Sequence, residues 1–268
     1  MNLVVGHKIV AIGAGSGLGR GVVRRLIEDG ATLSILEISD EKVNSLKEEF
    51  GDSILAISGD ASKLSDLERF RAAQTERFGG VDALICFQGI FDGNVPLAKM
   101  DPEAVEAVFD EVFRINVKST ILAARIFLEL LQESEGAIVL TSSNAAYAAD
   151  GGGAFYTATK GAIRSLVGQL AFEFAPKVRV NAVAPGAIGK SELRGPTALG
   201  MDGFKQSDIP ADMFLESFRK LALMTELPEP EDYATAYAFL ASKTNKVMNG
   251  QTILAEQGLL NRTILTPK

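Results

Sequence analysis

Thiol and imidazole are scarce in this chain of 268 residues, which holds one cysteine, Cys86, and one histidine, His7. A single thiol excludes an intramolecular disulfide and a cysteine metal cluster, and it fits a reducing cytoplasm. A single imidazole leaves zinc sites and serine triads without their usual ligands or base, so no metal site is expected. His7, just ahead of the first apolar run, reads as a solvated strand end. No apolar run approaches the ~20 residues of a membrane-spanning helix. The opening "MNLVVGHKIVAIGAG" lacks both the charged start and the cleavage site of a secretion signal. Positive charge is in deficit as well: the formal net charge is -7. The basic residues are scattered, which argues against nucleic acid or an anionic membrane as the partner.

What is present is an alternation of short apolar runs with amphipathic stretches. "KIVAIG" leads into a helical pattern reaching Asp29, "ATLSILE" into Asp40 to Phe50, "SILAIS" into Leu64 to Phe78, and "VDALIC" into a long helical region. "GAIVLTSS", the helix around Tyr156, "VRVNAVAPG" and "QTILAE" complete the series. Continuous apolar strands separated by helices predict a Rossmann-like, doubly wound α/β fold: a seven-stranded parallel sheet with helices on both faces. Right-handed crossovers then bring ligand-binding loops to one edge of that sheet. No linker or composition shift divides the chain, so residues 1–268 are expected to form a single dinucleotide-binding catalytic domain. The irregular stretch at about 187–230 has the length and character of a substrate lid.

In "IVAIGAGSGLGRGVV" the first strand runs into Gly13, Gly15, Gly17 and Gly19 and then into a helix. Glycine lets the backbone turn sharply and approach a pyrophosphate, whose charge is favoured by the free amides of a helix N-terminus. The spacing is Gly-x-x-x-Gly-x-Gly from Gly13 rather than the G-x-G-x-x-G of the dinucleotide fingerprint. Glu37 closes the second strand, where a carboxylate accepts from adenosine ribose hydroxyls and repels a 2′-phosphate; NAD is therefore expected over NADP. Asp60, ending "AISGD", is placed to accept from the adenine amino group.

In "TSSNAAYAADGGGAFYTATK" the serines end a strand, and Tyr156 and Lys160 stand one helical turn apart on one face. A tyrosine hydroxyl with an ordinary pKa near ~10 is a poor base at neutral pH, and a nearby ammonium favours its phenolate. The pair suits general acid–base chemistry. A serine hydroxyl would hold the substrate oxygen while hydride passes between a substrate carbon and nicotinamide. The run Gly151 to Gly153 is expected to leave room at the mouth of the site.

These residues, with "RINVKS" around Asn116 and "APG" at Pro185 and Gly186, resemble the short-chain dehydrogenase/reductase family over essentially the whole chain. The resemblance implies that Ser143, thirteen residues before Tyr156, polarises the substrate oxygen. Tyr156 would transfer the proton, and Lys160 would lower its pKa and bind the nicotinamide ribose. Asn116 would anchor a relay water. Cofactor contacts are implied for Gly13, Ser16, Gly17, Leu18, Gly19, Glu37, Asp60, Ala61, Gly89, Tyr156, Lys160, Pro185, Gly186 and Ile188.

"FDEVFRINVKS", "SNAAYAADGGGAFYTATKGAI" and "SELRGPTALG" are similar to the bacterial cis-dihydrodiol dehydrogenases of aromatic catabolism. That likeness implies an NAD-dependent, tetrameric, cytoplasmic enzyme for a secondary alcohol or ring cis-diol, with Asn144 beside Ser143 and Tyr156 in holding the substrate. The chain departs from the family pattern at Ile12 for threonine, Phe87-Gln88 for Asn-Ala, Lys190 for threonine, and Glu256-Gln257-Gly258 for Asp-Gly-Gly. These departures keep a second substrate open, a glutathione-conjugated primary alcohol with Lys190 facing its carboxylate. A non-catalytic NAD-binding sensor is another alternative. A serine hydrolase built on Ser143 and Lys160 lacks the G-x-S-x-G elbow and leaves the glycine loop unexplained.

Overall fold

The computed structural model describes residues 3–149 and 151–261. Its seven strands form one parallel sheet: β1 (Lys8–Ile12), β2 (Thr32–Glu37), β3 (Ile54–Ser58), β4 (Ala83–Cys86), β5 (Ala137–Thr141), β6 (Arg179–Pro185) and β7 (Thr252–Ala255). Their spatial order is β3-β2-β1-β4-β5-β6-β7. The order reverses between β1 and β4, whose pairs run from Ile9 with Ala83 to Ile12 with Cys86. A reversal of this kind opens a crevice beyond the carboxyl ends of the strands.

The strands are apolar on both faces because both faces are covered. Val22, Val23 and Leu26 of α1 (Gly17–Glu28) and Tyr237 and Leu240 of α8 (Ala234–Ala241) pack on one side, together with α2 (Asp40–Phe50). Leu67 and Phe70 of α3 (Leu64–Phe78), Phe127 and Leu131 of α5 (Ser119–Ser134) and Ile163 and Val167 of α6 (Ala154–Phe174) pack on the other.

Local signals set several boundaries. The Ser39 hydroxyl caps α2 by accepting from Lys42 N at 3.3 Å, acidic Asp40 and Glu41 fill its first turn, and Gly51 ends it at φ +56°. The long helical region after β4 divides into α4 (Pro102–Phe113), a wider π-turn at Arg114–Lys118, and α5. That turn carries Asn116 inward, and such bulges gather at functional sites.

Residues 187–230 are less irregular than their sequence implies, because α7 (Ala211–Leu221) lies among them. Only Phe218 of α7 is buried, so little tertiary packing marks the helix. Among the described residues no helix is long and apolar enough to cross a membrane.

Candidate active site

The crevice at the strand ends is a continuous cavity of about 520 Å³. The glycine turn, Glu37, Asp60 and Ala61 line one end of it; Gly89, Ser143, Asn144, Tyr156 and Lys160 line the middle. Pro185, Gly186 and Ile188 complete the wall. Of the catalytic and cofactor residues expected from the family resemblance, Asn116 alone stands off the wall: its Oδ1 would lie 3.4 Å from a Cβ built at Gly89.

The glycine turn is built by contacts that exclude side chains. Gly13 has φ +73°, and a Cβ there would stand 2.8 Å from the Gln88 backbone. A Cβ at Gly15 would stand 2.6 Å from Glu37 Oε2. Gly13 N donates to Leu36 O at 2.8 Å and Gly15 N to Glu37 Oε2 at 2.9 Å. The loop is thus tied to β2 by a carboxylate and the backbone, without the hydroxyl that Ile12 lacks. Glu37 Oε1 also accepts from Ile38 N at 2.8 Å, and the residue is buried.

Ser16, the N-cap of α1, makes no side-chain cap; its Oγ accepts from Lys42 Nζ at 2.7 Å instead. The first amides of α1 are therefore left for an anion in the cleft. Asp60 Oδ1 accepts from Ser62 N and Oγ, and its Oδ2 lies 3.6 Å from Arg114 Nη1.

Ser143, Tyr156 and Lys160 are buried together where β5 ends and α6 begins. Ser142 also lines the cavity, but its Oγ is committed to Lys160 O, donating at 3.3 Å. The Ser143 hydroxyl donates to Asn144 Oδ1 at 3.0 Å and accepts from Ala145 N at 3.2 Å. Burial pushes the Tyr156 phenol up to about 12; a hydrogen bond with Ser143 pulls it down, and the charge of Asp92 adds to the rise. Burial brings the Lys160 ammonium down to about 8. Lys160 Nζ donates to Thr141 O at 3.0 Å and stands 5.5 Å from the centre of the Tyr156 ring.

The Asn116 amide is committed to the wall behind these groups. Oδ1 accepts from Ile90 N at 2.8 Å, and Nδ2 donates to Ile90 O at 3.0 Å and Thr159 Oγ1 at 3.1 Å. A relay water would use the remaining lone pairs of Oδ1 and of the main-chain oxygen.

Several departures from the family pattern have structural places. The Phe87 ring packs 5.0 Å from that of Tyr237. Gln88 Nε2 donates to Ser119 and Thr120, while its Oε1 is buried without a partner. Gln257 Oε1 accepts from Ala187 N at 3.1 Å and its Nε2 donates to Tyr233 Oη at 2.8 Å. Tyr233 Oη in turn donates to Ala187 O at 2.7 Å, so the two side chains clasp the backbone just after Gly186. Lys190 is different: its side chain is 80% exposed, paired with Glu229 at 3.2 Å and off the cavity wall, which removes it as a contact for an anionic substrate.

Sequence reasoning missed Lys42 and the residues that close the substrate end, including Phe91, Leu193, Met201 and Phe204. No periodicity marks a wall assembled from the β4 loop and residues 187–230. The three glycines before Tyr156 each meet a specific neighbour: a Cβ at Gly151 would lie 2.9 Å from Ala145 Cα, at Gly152 2.5 Å from the Tyr156 ring, and at Gly153 2.5 Å from Asp92 Oδ2. Only Gly151 borders the cavity.

Residues 13–260 match the family described as enoyl-(acyl carrier protein) reductase. The cis-2,3-dihydrobiphenyl-2,3-diol dehydrogenase of Pseudomonas putida is 40% identical over 90% of this chain and 85% of its own length. The 3-phenylpropionate-dihydrodiol/cinnamic acid-dihydrodiol dehydrogenase of Escherichia coli is 40% identical over 96% of this chain and 94% of its own. A solved short-chain dehydrogenase/reductase structure from Brucella melitensis, titled a glucose/ribitol dehydrogenase, superposes with a TM-score of 0.80 at 28% identity, covering 96% of this chain and 98% of the other.

Proposed function

The chain belongs to the short-chain dehydrogenase/reductase family of CH–OH oxidoreductases, and from that premise we propose that it oxidises an aromatic ring cis-dihydrodiol or related secondary alcohol with NAD. The observation that carries this reading is the meeting of Ser143, Tyr156 and Lys160 in one buried cleft with the glycine turn and Glu37. The two relatives named above act on dihydrodiols.

The cleft suits a dinucleotide. The uncapped first turn of α1 offers amides to a pyrophosphate, and Glu37 supplies a carboxylate where ribose hydroxyls would donate. Asp60 and Ala61 would flank the adenine, and Gly89, Lys160, Pro185, Gly186 and Ile188 the nicotinamide half. When bound, oxidised nicotinamide supplies the hydride acceptor and a positive charge. The protein's own residues handle the proton. Ser143 and Asn144 hold the diol oxygens, and Tyr156 Oη takes the hydroxyl proton as the carbon gives up hydride. Lys160 stabilises the phenolate by its charge, and the proton leaves past Lys160 toward Asn116. Residues 187–230 act as a lid whose apolar side chains exclude water from the ring.

By resemblance the protein is a cytoplasmic homotetramer. Phe172 on α6, 80% exposed, and Leu254 on the edge strand β7, 46% exposed, give apolar area for subunit contacts. Light scattering at several concentrations checks the assembly.

The functional test is NADH formation with matched panels of aromatic cis-dihydrodiols and glutathione-conjugated alcohols, each also run with NADP. Dihydrodiols with NAD are expected to dominate, and Tyr156→Phe to lower turnover by about 10²- to 10⁴-fold while retaining NADH binding. Tight NADH binding without turnover of any alcohol would instead support a sensor, and a dominant NADP rate would contradict the role given to Glu37.

A further inference from the structure

We propose that Asp92, in the loop after β4, is the positioning residue of Tyr156: its carboxylate takes the place of a local cap on α6 and fixes the phenol against Ser143. The inference rests on the role proposed above for Tyr156. The N-cap of α6 is Gly153, which has no side chain to accept from the helix's first amides. Asp92 accepts instead. Its Oδ1 takes Gly153 N at 2.9 Å, and its Oδ2 takes the amide of Tyr156 itself at 2.9 Å. The partners lie 61 and 64 residues away in sequence, yet Asp92 is only 1% exposed.

The arrangement is mutually exclusive with a local cap. A Cβ at Gly153 would stand 2.5 Å from Asp92 Oδ2, so a serine there cannot coexist with the carboxylate. The loop is itself held from behind, since Asn116 brackets Ile90 through both its N–H and its C=O. Phe91 then presents its ring edge-to-face to Tyr156 at 5.2 Å. Two consecutive side chains of one loop therefore grip Tyr156, one at its ring and one at its backbone. The charge of Asp92 also acts on the phenol, disfavouring phenolate. Ser143, from the end of β5, hydrogen-bonds the phenol and favours phenolate; the other titratable groups facing it are Lys160 from its own helix, 5.5 Å from the ring centre, and Tyr237 from α8, whose own phenol Tyr156 pushes up.

The test separates position from charge. Asp92→Ala is expected to lower kcat by between about 10- and 100-fold, with NADH affinity within about twofold of wild type. Gly153→Ser alone is expected to be harmful through its clash with the carboxylate. In the Asp92→Ala background the same serine can cap the Tyr156 amide locally, and it is expected to restore most of kcat. Phenolate absorbance of the cofactor-free protein, with Tyr156→Phe as the reference, reads the charge: its midpoint for Tyr156 should fall in both variants that lack Asp92. Wild-type kcat in Asp92→Ala, or no rescue in the double variant when both retain a wild-type melting temperature, would overturn the proposal. If either variant fails to fold, Asp92→Asn, which keeps one carbonyl acceptor for the two amides, replaces it, and wild-type kcat there overturns the proposal equally. Absence of wild-type turnover on the whole alcohol panel counts against the proposed dehydrogenase instead, because the absorbance titration needs no substrate.

Discussion

Tyr156 and Lys160 stand one turn apart on α6, and burial moves them in opposite directions, the phenol up to about 12 and the ammonium down to about 8. The lysine is the informative one for stability. Its folded-state value lies below the ordinary 10.5, so below pH 8 the folded protein carries an unfavourable buried ammonium, and that penalty is relieved as pH rises from about 8 to 10.5. Lys160→Met is therefore expected to abolish turnover without a comparable loss of stability at pH 7, and wild type should gain on the variant as pH rises through that window. Urea titrations at pH 7 and pH 10 check the sign. Glu37 carries a second prediction. Its carboxylate disfavours a 2′-phosphate, while Lys42 Nζ lies 2.7 Å from Ser16 Oγ in the same corner. Glu37→Ala, leaving that ammonium in place, should raise the NADP-to-NAD ratio of kcat/KM by about tenfold or more, the equivalent of about 1.4 kcal/mol. The variant should also be less stable, because Gly15 N loses its acceptor.

At the scale of elements, the sequence pattern located the helices and strands well because both faces of the sheet are covered and its central strands, β1, β4 and β5, are almost wholly apolar. It did not divide the helical region after β4 at Arg114–Lys118, since a π-turn inserts its residue without breaking the apolar spacing to which the eye responds. It also missed α7: Phe214, Phe218 and Leu221 do fall at helical spacing, but the helix sits between the glycine- and proline-rich runs "RGPTALGMDGF" and "TELPEPE", which read as loop. The clasp of Gln257 and Tyr233 on Ala187 was equally hidden, because its partners lie 70 and 46 residues apart. Gln257 adopts φ +56°, a conformation glycine takes freely. Gln257→Gly should thus keep overall stability within about 1 kcal/mol, the lost hydrogen bonds being offset by relief of backbone strain. Amides around Ala187 should nevertheless exchange faster, and hydrogen exchange read by mass spectrometry measures it.

Across the whole molecule, the first half of the 187–230 segment, residues 188–209, lies along the cleft it helps to form. Glu192 N is 3.1 Å from where a Cβ of Gly17 would be, and Glu192 is joined to Lys205 at 2.5 Å. The segment thus crosses directly above the glycine turn. NADH is expected to slow proteolysis within residues 187–230 by about tenfold or more at saturating concentration, through linkage between binding and local opening. Cleavage kinetics with and without NADH test this, and an unchanged rate would argue against a lid.

The sequence by itself determined the parallel sheet, the glycine turn at its first strand and the acidic end of the second, since each is a matter of residue type at a local spacing; Ser143 joined Tyr156 and Lys160 through the family resemblance and not through spacing. Tertiary structure decided what those residues touch. Only folding brings Asp92 to the amide of Tyr156, Glu37 to Gly15 and Gln257 to Ala187, and turns Lys190 out to Glu229. Such contacts join residues tens of positions apart, and their energy depends on burial and direction, which no local spacing encodes.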